Sequence, residues 1–445
     1  MAKTYDTYKD SGIAWIGEIP GEWRVEKARH IFTQRNSKGN KTPILLSATQ
    51  INGMYPQHLL EGVVQVQKST DLQTFKTVHK NDFVISLRSF QGGFEMSDYE
   101  GVCSPAYQVF YNKIDICHQY YKLLFKSQGF ISMINSLVVG IREGKNIQYG
   151  SFSYSYLPFP PLSVQQSISS FLDTKCGEID SLISIQEEMI SELLAYKQSV
   201  ITEAVTKGLD KKAKMKNSGV EWIGDIPEEW EVCPLKHILK EHLQYGANES
   251  GIFYEEGLPR YVRITDILDN KLREDITKQS LTEKQAEGFI LQNNDILFAR
   301  SGATVGKAFI YKEKYGRCAF AGYLIKAAVN HKYYADFLYY YTQSSSYDEW
   351  KKRIFIQATI QNIGADKYSM MAIPIPPLPV QQAIATYLDE KTSQIDSLIA
   401  LKQSKIESLK EYKKSIIYEY VEGLYPFGDK KWKPQTIEPK QLSLF

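Results

Sequence analysis

The chain has 445 residues and carries 53 Lys and Arg against 51 Asp and Glu, so its formal net charge is only +2. That balance argues against a polybasic protein of the histone kind. The aromatic content of 13% excludes a disordered chain, because aromatic side chains supply the burial that disorder lacks. Five scattered cysteines, none in a C-x-x-C pair, predict free thiols rather than a disulfide framework or a zinc site. Without a long apolar run or a secretion signal, the sequence predicts a soluble cytoplasmic protein.

The sequence repeats itself over most of its length. Residues 9–25 (KDSGIAWIGEIPGEWRV) and 216–232 (KNSGVEWIGDIPEEWEV) are identical at 11 of 17 positions. Residues 160–183 (PPLSVQQSISSFLDTKCGEIDSLI) and 376–399 (PPLPVQQAIATYLDEKTSQIDSLI) are identical at 15 of 24 positions. Two such matches in the same order predict two repeats of about 210 residues, each a globular domain followed by a helical arm.

The stretches between these matches are much less alike. Short islands survive, with Asn81-Asp82 beside Asn294-Asp295 and Arg88-Ser89 beside Arg300-Ser301. A shared framework with divergent middles is expected if each middle recognises a different target. Drift of unselected loops would leave the same pattern, so both interpretations stay open.

The globular domains are predicted to be α+β with mixed sheets. Runs of Tyr, Ile, Val, Phe and Thr broken by Gly, Asn and Asp predict strands, and Tyr120–Lys126 and Tyr333–Thr342 predict short helices. The predicted boundaries are 1–155 and 216–371 for the two globular domains, 156–215 and 372–425 for the two arms, and 426–445 for a C-terminal tail.

Each arm follows a proline-rich segment and ends at a glycine. A helix is expected to begin near Ser163 or Pro379 and to stop at Gly208 or Gly423. Apolar and Tyr residues recur there at a spacing of three to four, which predicts a stripe that packs on another helix. The residues expected to pair the helices are Ile179, Leu182, Leu193, Tyr196, Val200, Ile395, Leu398, Leu409, Tyr412 and Ile416.

The two arms are expected to pair with each other as an antiparallel coiled coil. As one helix, residues 179–207 would extend about 44 Å, and the second arm must run back along the first if the molecule is to close. The resulting pseudo-two-fold arrangement would bring Gly423 near the Trp15–Trp23 segment. The alternative is that each arm packs on its own globular domain.

No catalytic constellation is evident in the sequence. Residues 302–307 superficially match a phosphate-binding loop, but they have three residues between the glycines where four are needed, and Ala308 follows where Ser or Thr is required. His237 and His242 are five apart, off a common helix face, with no third ligand evident. A nuclease-type cluster of Asp, Glu and Lys stays open, because such ligands are sparse in sequence. The sequence therefore predicts a binding protein that is not an enzyme and holds no metal or cofactor.

Two divergent domains on a fixed helical spacer suit a long and regular partner such as duplex DNA. Sites about 40–50 Å apart would span about 12–15 base pairs. Arg favours guanine and Asn or Gln favours adenine in the major groove, so loops that mix these residues with Lys are the expected contacts. The candidate DNA-contacting residues are Arg35, Lys38, Lys41, Arg88, Ser89, Gln91, Arg142, Lys145, Asn146, Gln148, Arg260, Arg263, Arg300, Ser301, Gly302, Thr304, Lys307, Gln357, Thr359, Gln361 and Asn362.

Charge supports DNA binding only in part. Residues 1–160 contain 17 Lys and Arg and 13 Asp and Glu, a net charge of +4, whereas residues 216–377 contain 20 and 21, a net charge of −1. The second domain is therefore not expected to bind through charge alone, and its basic residues must act locally.

The repeated motifs resemble those of the specificity subunits of type I restriction–modification systems. The resemblance rests on the SG-x-x-WIG-x-IP-x-x-W segment that opens each repeat, the PPL-x-x-Q segment that leads into each arm, and the Asn-Asp islands, which Arg-Ser follows after five residues in the first repeat and four in the second. One departure is Val164-Gln165 and Val380-Gln381, where many members of the family have Glu before the Gln.

The resemblance implies two target-recognition domains that each read one half of a split DNA site across a non-specific spacer. The paired helices would set that spacer and dock two methyltransferase subunits, and two restriction–translocase subunits would join for cleavage. The methyl donor, ATP and Mg²⁺ would then belong to the partners. Trp15, Trp23, Trp222 and Trp230 are expected to be core anchors, with docking to partners as the alternative.

Two other functions remain open from the sequence. One is a stand-alone DNA-binding specificity module of another phage-defence system, which a neighbouring methyltransferase gene would argue against. The other is a coiled-coil scaffold whose globular domains bind proteins.

Overall fold

A computed structural model of the chain describes residues 7–39, 44–49, 52–60, 72–87, 93–137, 147–268, 271–302, 304–356 and 362–423. The chain forms two compact units: the first combines Met1–Ile185 with Lys405–Phe445, and the second is Gln186–Ser404. Each unit thus contains one globular domain, part of the arm that follows it and part of the arm from the other repeat. The domain boundaries predicted from sequence divide the chain by element type and stay a prediction.

The elements of the first repeat lie in the following order. They are β1 (Tyr8–Asp10), β2 (Glu18–Pro20), β3 (Arg24–Lys27), α1 (Ala28–Ile31), β4 (Phe32–Arg35), β5 (Leu46–Thr49), β6 (Gly53–Pro56), β7 (Lys76–Val78), β8 (Phe83–Ile85), β9 (Phe94–Met96), β10 (Gly101–Cys103), β11 (Gln108–Asn112), α2 (His118–Leu124), α3 (Gln128–Ser136), α4 (Tyr149–Ser153), β12 (Tyr156–Phe159) and the long helix α5 (Leu162–Lys207).

The second repeat follows the same general plan. Its elements are β13 (Met215–Asn217), β14 (Asp225–Pro227), β15 (Glu231–Pro234), β16 (Gln244–Tyr245), β17 (Ile252–Phe253), β18 (Arg260–Val262), β19 (Ile267–Leu268), β20 (Lys271–Leu272), β21 (Gln279–Ser280), α6 (Glu283–Ala286), β22 (Ile296–Ala299), β23 (Ala308–Ile310), β24 (Cys318–Phe320), β25 (Leu324–Ala327), α7 (Ala335–Tyr341), α8 (Ser345–Ile356), α9 (Ala365–Ser369), β26 (Ala372–Ile375) and the long helix α10 (Leu378–Val421).

The first globular domain is built on an antiparallel sheet in the order β4-β11-β8-β9. Its core is aromatic: Phe83 and Phe110 stack across neighbouring strands with ring centroids 5.5 Å apart, Phe125 packs edge-on against Phe83, and Phe130 packs on Phe125. Alternation along each strand places these rings on one face of the sheet. Much of the aromatic content is thus used in the core.

The second globular domain contains two four-stranded sheets. Their orders are β16-β25-β22-β23, which is antiparallel, and β17-β21-β18-β24, in which β18 and β24 are parallel. Helix α7 buries Tyr339, Tyr340 and Tyr341 beside the first sheet. The predicted α+β class with mixed sheets and long helical arms is confirmed.

The shared Asn-Asp islands are structural turns. Asn81 and Asn294 have positive φ angles of 70° and 71°, which Asn tolerates better than most residues. The buried carboxylates of Asp82 and Asp295 each accept the backbone N–H three residues earlier, at 2.8 Å in both domains. This turn leads into the central strand β8 or β22, which explains why it survives in two otherwise divergent domains.

A buried glutamine joins each long helix to a short helix of the same repeat. The Gln165 amide donates to Pro160 O at 2.9 Å and accepts Cys117 N–H, at the start of α2, at 2.9 Å. Gln381 donates to Pro376 O and accepts from Tyr334 N–H, each at 2.8 Å, in the same way. The Gln repeated in the two PPL-x-x-Q segments therefore fixes the angle at which the arm leaves the domain.

The end of each long helix packs on the globular domain of the other repeat. Gly423 and Gly208 both have φ of +78°, and a Cβ on Gly423 would lie 2.8 Å from the Trp23 ring, whereas one on Gly208 would lie 3.1 Å from Trp230. Trp23 and Trp230 are buried at 0% and 4% exposure, so they are core anchors.

The other two tryptophans of the repeated segments are half-buried. Trp15 packs edge-on against Phe130, and Trp222 lies beneath the Arg353 guanidinium. All four repeated tryptophans therefore have packing partners inside their own unit.

The contact at the end of α10 is strongly polar and buried. The Ser127 hydroxyl, at the start of α3, donates to the Glu422 carboxylate at 2.7 Å, and Tyr120 donates to Val421 O at 2.7 Å. Burial raises the pKa of Glu422 to about 8, although the bond from Ser127 acts in the opposite direction. The second unit uses different groups, since Thr202 of α5 accepts the Ser345 N–H at 2.8 Å.

The two long helices are antiparallel in the first unit. Lys413 Nζ donates to both Asp180 oxygens at 2.6 and 2.7 Å, and the Phe171 ring packs on Tyr420 at 4.7 Å. In these contacts the residue numbers rise along α5 as they fall along α10, so the two helices run in opposite directions.

The second unit repeats this arrangement with the repeats exchanged. Lys197 Nζ donates to both Asp396 oxygens at 2.7 and 2.8 Å, and Lys402 Nζ lies 3.4 Å from Gln186 Oε1. Asp180 corresponds to Asp396 and Lys197 to Lys413 in the sequence repeat. Each unit therefore contains the same Asp–Lys pair.

The helix–helix contact differs from the predicted stripe in one respect. Among the residues expected to pair the helices, Ile179, Ile395 and Ile416 are buried, and Leu193, Val200, Leu409 and Tyr412 are half-buried. Leu182, Tyr196 and Leu398, however, are 44%, 57% and 48% exposed.

A row of buried and half-buried residues along α5 contains polar side chains. It runs through Ile179, Ile183, Gln186, Ile190, Leu193 and Lys197, at alternating spacings of four and three. Leu182 and Tyr196 lie beside this row, and their part in helix pairing stays a prediction.

Three further features concern membranes, thiols and metals. No helix in the described part of the chain is long and apolar enough to cross a membrane. All five cysteines are free thiols. Within the described ranges, no three His, Cys, Asp or Glu side chains are grouped so that they could hold a metal ion.

Replacing the buried glutamine should weaken the first unit. Gln165→Met is expected to lower the free energy of unfolding by about 1–3 kcal/mol, because Cys117 N–H and Pro160 C=O lose their buried partner. Gln166→Met, at the exposed next position, is the control and should change it by less than about 0.5 kcal/mol. Urea unfolding measures both, and equal midpoints for the two variants would contradict the role of Gln165.

Candidate nucleic-acid interface

The second globular domain has an open cleft lined by polar and aromatic side chains. We call it the Arg300 cleft; its volume is about 500 Å³ and its lining residues are Tyr245, Gly246, Asn248, Arg300, Ser301, Gly322, Tyr323 and Asn362. Arg300, Ser301 and Asn362 were predicted from the sequence, and the structure brings them together.

Three neighbouring strands place the cleft residues. Arg300 directly follows β22, and its backbone N–H donates to Tyr323 O, just before β25, at 3.0 Å. Tyr245 at the end of β16 pairs with Ile325 of β25. Ser301 forms an isolated antiparallel bridge with Asn362, so segments distant in sequence meet at this edge of the sheet.

Gly246 is required for the floor of the cleft. A Cβ at this position would lie 2.3 Å from Ala321 O and 2.4 Å from Phe320 O, which no side chain tolerates. The close approach allows Ala247 N–H to donate to Phe320 O at 2.9 Å and Gly322 N–H to donate to Ala247 O at 2.8 Å. The floor is therefore held by backbone hydrogen bonds.

Arg300 is available to bind an external group. Its guanidinium lies 5.0 Å from the Tyr245 ring centroid, and the Tyr245 hydroxyl accepts Ala365 N–H at 3.0 Å, which fixes the ring. No ion pair holds Arg300 in the described part of the chain, so its donors can bind a guanine edge or a phosphate. Asn248 and Asn362 are exposed, and Tyr323 is 63% exposed.

Gly302, Thr304 and Lys307 lie in the turn that follows the cleft. Gly302 has φ of 80°, and Lys307 N–H donates to Thr304 O at 3.0 Å, which closes the turn. Lys307 is exposed, so it can reach an external group.

Arg260 and Arg263 are engaged inside the second domain. Arg260 is only 6% exposed and donates to Glu274 Oε1 at 2.7 Å and to a backbone carbonyl. Arg263 donates to both Asp266 oxygens and to Gln279. Both guanidinium groups are engaged within the fold, so DNA contact by these two residues stays a prediction that the geometry does not favour.

Arg35 of the first domain is engaged in a similar way. Its guanidinium donates to the buried Asp82 carboxylate at 2.7 and 2.9 Å and lies 4.2 Å from the Tyr111 ring centroid. It therefore anchors the Asn81-Asp82 turn to the strand β4.

Lys38 lies beside a second lysine. It is exposed and forms an isolated bridge with Lys76, whose ammonium donates to Tyr107 O. Burial lowers the pKa of Lys76, and the like charge of Lys38 adds to that effect. Two neighbouring cations of this kind favour an anion at the surface.

Gln148 belongs to a chain of amides on the first domain. Gln108 Nε2 donates to Gln148 Oε1 at 2.5 Å, and Gln108 Oε1 accepts from Gln34 at 3.3 Å. Gln148 is exposed, so its remaining donors point to a surface that can bind a base edge or a backbone group.

The other predicted contacts lie outside the described residues. They are Lys41, Arg88, Ser89, Gln91, Arg142, Lys145, Asn146, Gln357, Thr359 and Gln361.

Sequence reasoning missed Tyr245, Asn248 and Tyr323. They belong to no motif, and only the pairing of β16 with β25 brings them to Arg300. The one available signal was Gly246, which marks a close approach of two backbone segments.

Comparison with known proteins assigns the family. A family model described as the type I restriction modification DNA specificity domain matches the chain twice, over residues 16–194 and 227–411. The chain belongs to the type I restriction–modification specificity subunits. The two matches coincide with the two repeats.

Curated relatives match either nearly the whole chain or about three fifths of it. The type I restriction enzyme MjaVIII specificity subunit of Methanocaldococcus jannaschii is 24% identical over 427 residues, which cover 90% of this chain and 92% of the relative. The EcoBI specificity subunit of Escherichia coli is 24% identical over 286 residues, 61% of this chain and 58% of the relative.

Solved structures share the fold. A chain from a structural study of complex assembly and conformational transition in a type I R-M system has a TM-score of 0.69 at 15% identity, covering 91% of this chain and 98% of that chain. The HsdS subunit from Thermoanaerobacter tengcongensis has a TM-score of 0.51 at the same identity and coverage.

Proposed function

We propose that each globular domain of this specificity subunit recognises one half of a bipartite duplex DNA site. The observation that carries the proposal is that the DNA specificity domain occurs twice, on repeats whose frameworks agree and whose middles differ. Two recognition domains that share a framework but present different surfaces suit a DNA site with two unlike halves.

The described surfaces of the two domains differ in chemistry. The second domain presents the unpaired Arg300 with exposed Asn248 and Asn362, whereas the first presents Gln148 in an amide chain and the Lys38–Lys76 pair. Guanidinium and amide groups are the side chains that discriminate base edges, and lysines suit phosphates. Different base sequences are therefore expected for the two halves.

The paired long helices set the spacer between the half-sites in this proposal. The same Asp–Lys pair in each unit fixes the register between α5 and α10, and the polar Gln186–Lys402 contact adds a second constraint. Polar residues in a helix–helix contact specify register at some cost in stability. A fixed register would keep the distance between the two half-sites constant, as a non-specific gap of constant length requires.

The outer faces of the long helices are the proposed docking sites for two methyltransferase subunits. Leu182 and Ile185 are 44% and 48% exposed, and the equivalent Leu398 and Leu401 are 48% and 66% exposed. Apolar residues left open at equivalent places in each unit suit two copies of one partner.

Catalysis belongs to the partners in this proposal. The methyltransferase subunits supply methyl transfer, and two restriction–translocase subunits supply ATP-dependent cleavage, with all the cofactors those reactions need. The chain itself acts in the cytoplasm as a non-catalytic recognition subunit.

Exchange of one domain tests the two-half arrangement. Residues 26–155 replaced by the matching segment of another specificity subunit should change one half of the methylated motif, because each domain reads independently. The other half and the gap should stay the same. Methylome sequencing measures this, and a change in both halves would contradict independent reading.

Arg300 is expected to read a base. Arg300→Ala should cost about 1–3 kcal/mol at one position of one half-site, because a bidentate contact is lost there only. Arg317→Ala is the control, since Arg317 is exposed in the same domain but paired with Glu283. Competition binding with single-base variants of the site measures both, and an equal loss over all sequences would make Arg300 a phosphate contact.

A further inference from the structure

Three glutamines of the first globular domain are joined by hydrogen bonds between their side chains. Gln34 Nε2 donates to Gln108 Oε1 at 3.3 Å, and Gln108 Nε2 donates to Gln148 Oε1 at 2.5 Å. Gln34 belongs to β4 and Gln108 to β11, whereas Gln148 directly precedes α4. Gln108, at the centre, is 7% exposed, and Gln148 is exposed. A buried amide is thus bonded directly to an amide at the surface.

A backbone N–H determines which way these amides point. Tyr149 N–H donates to Gln108 Oε1 at 2.7 Å. Because a backbone N–H can only donate, the Gln108 oxygen must face it, and Gln108 Nε2 must face Gln148. Gln148 must then turn its oxygen towards Gln108, since rotation of either amide by half a turn would bring two donors together. The orientation of the exposed Gln148 amide is therefore set by the buried Gln108.

The Gln148 amide presents the groups that bind adenine. Its Nε2 donates to no other group in the described part of the chain, and its Oε1 can accept one bond besides that from Gln108. In the major groove adenine offers the N7 acceptor and the N6 donor, and a glutamine binds both. Guanine offers only the acceptors O6 and N7, so Gln148 Oε1 would face a lone pair there. A glutamine held in this orientation fits adenine better than guanine.

The second domain shows that the fold does not need a side chain at this position. There the first N–H of α9 donates to the Tyr245 hydroxyl at 3.0 Å, as the first N–H of α4 donates to Gln108. Gly364 directly precedes α9, where Gln148 directly precedes α4. The helix N–H needs an acceptor in both domains, but Gly364 has no side chain. The Gln148 side chain is therefore available to bind a ligand.

We propose that Gln148 contacts an adenine in the half-site bound by the first domain, and that Gln108 is the positioning residue that orients it. The proposal deepens the proposed function and rests on it, because DNA must be bound at the first domain. Arg300 of the second domain suits guanine instead, so the two half-sites would differ in the base that each of these residues contacts.

The test uses the full chain assembled with its methyltransferase subunits. Competition binding is measured with duplexes that carry each of the four base pairs at each position of the first half-site, and wild type should prefer adenine at the position that Gln148 contacts. Gln148→Glu should bind the adenine duplex about 5- to 150-fold more weakly and should prefer cytosine there. The reason is that a carboxylate accepts from cytosine N4 but cannot donate to adenine N7.

A modified base tests the same contact from the side of the DNA. The base 7-deazaadenine lacks the N7 acceptor, so a duplex that carries it at this position should bind wild type more weakly than the adenine duplex does. Gln148→Ala should bind the two duplexes equally, because it has already lost the donor to N7. An equal loss in wild type and in Gln148→Ala would contradict the contact.

Gln108→Glu tests the positioning role. The carboxylate still accepts from Tyr149 N–H, and this bond favours its ionised form, but it offers Gln148 only acceptors. The Gln148 amide should then turn its Nε2 inward, and the preference should shift from adenine towards cytosine although residue 148 is unchanged. A residue with a structural role alone would alter stability or the affinity for all sequences equally. Gln166→Glu, at an exposed position of α5, is the control and should change no base preference.

The results that would overturn each part are as follows. An unchanged preference for adenine in Gln148→Glu, or a preference of wild type for guanine at the position that this variant alters, would overturn the adenine contact. A shift in Gln148→Glu without one in a folded Gln108→Glu would overturn the role of Gln108. If Gln108→Glu does not fold, Gln108→Met replaces it and should distinguish adenine from cytosine less well than wild type; an unchanged distinction would overturn the positioning role.

The outcomes for the function and for this contact are distinct. A wild-type complex without preference for any DNA sequence would count against the proposed function itself. A wild-type complex with normal preference in both half-sites, which the Gln148 variants leave unaltered, would count only against the adenine contact.

Discussion

Pairing between the long helices of the two repeats is the constraint on which the other features depend. In the first unit α5 and the end of α10 are held by Asp180 and Lys413, and in the second by Lys197 and Asp396. Because the partner always comes from the other repeat, neither unit can be completed by one repeat alone. The chain is duplicated in sequence but interleaved in structure.

The end of each long helix also packs on the globular domain of the other repeat. Gly423, at the end of the second repeat, packs on Trp23 of the first, and Gly208 packs on Trp230 of the second. Each globular domain is therefore fixed at two places: by the buried Gln165 or Gln381 at the start of its own arm, and by the end of the other arm. A domain held in this way can change its surface loops without changing its position on the arm, which is consistent with divergent middles on a common framework.

Elements marked by local signals could be predicted from the sequence. Proline and glycine placed the long helices to within a residue or two of Leu162–Lys207 and Leu378–Val421, and the short helices α2 and α7 lie where expected. The polar members of the buried row on α5, Gln186 and Lys197, could not be assigned from apolar spacing. The engagement of Arg260 depends on Glu274, and the Arg300 cleft depends on Tyr245. Both depend on strand pairing that leaves no local pattern.

Net charge proved a poor guide because it averages unlike surfaces. The excess of +4 in residues 1–160 includes Arg24, Lys27 and Arg29, which have no carboxylate partner in the described ranges. Residues 216–377, at −1, use Arg260 and Arg263 internally, and Arg300 has no ion pair among the described residues. In this account the two domains bind DNA by different means: the first has the larger net positive charge, and the second has the local Arg300 cleft.

The most direct test of the account is the methylome of a methylation-free host that expresses this chain with its methyltransferase subunits. The account predicts one modified motif, in which two short specified segments of different sequence flank an unspecified gap of constant length. A single continuous motif, or a gap whose length varies from site to site, would contradict it.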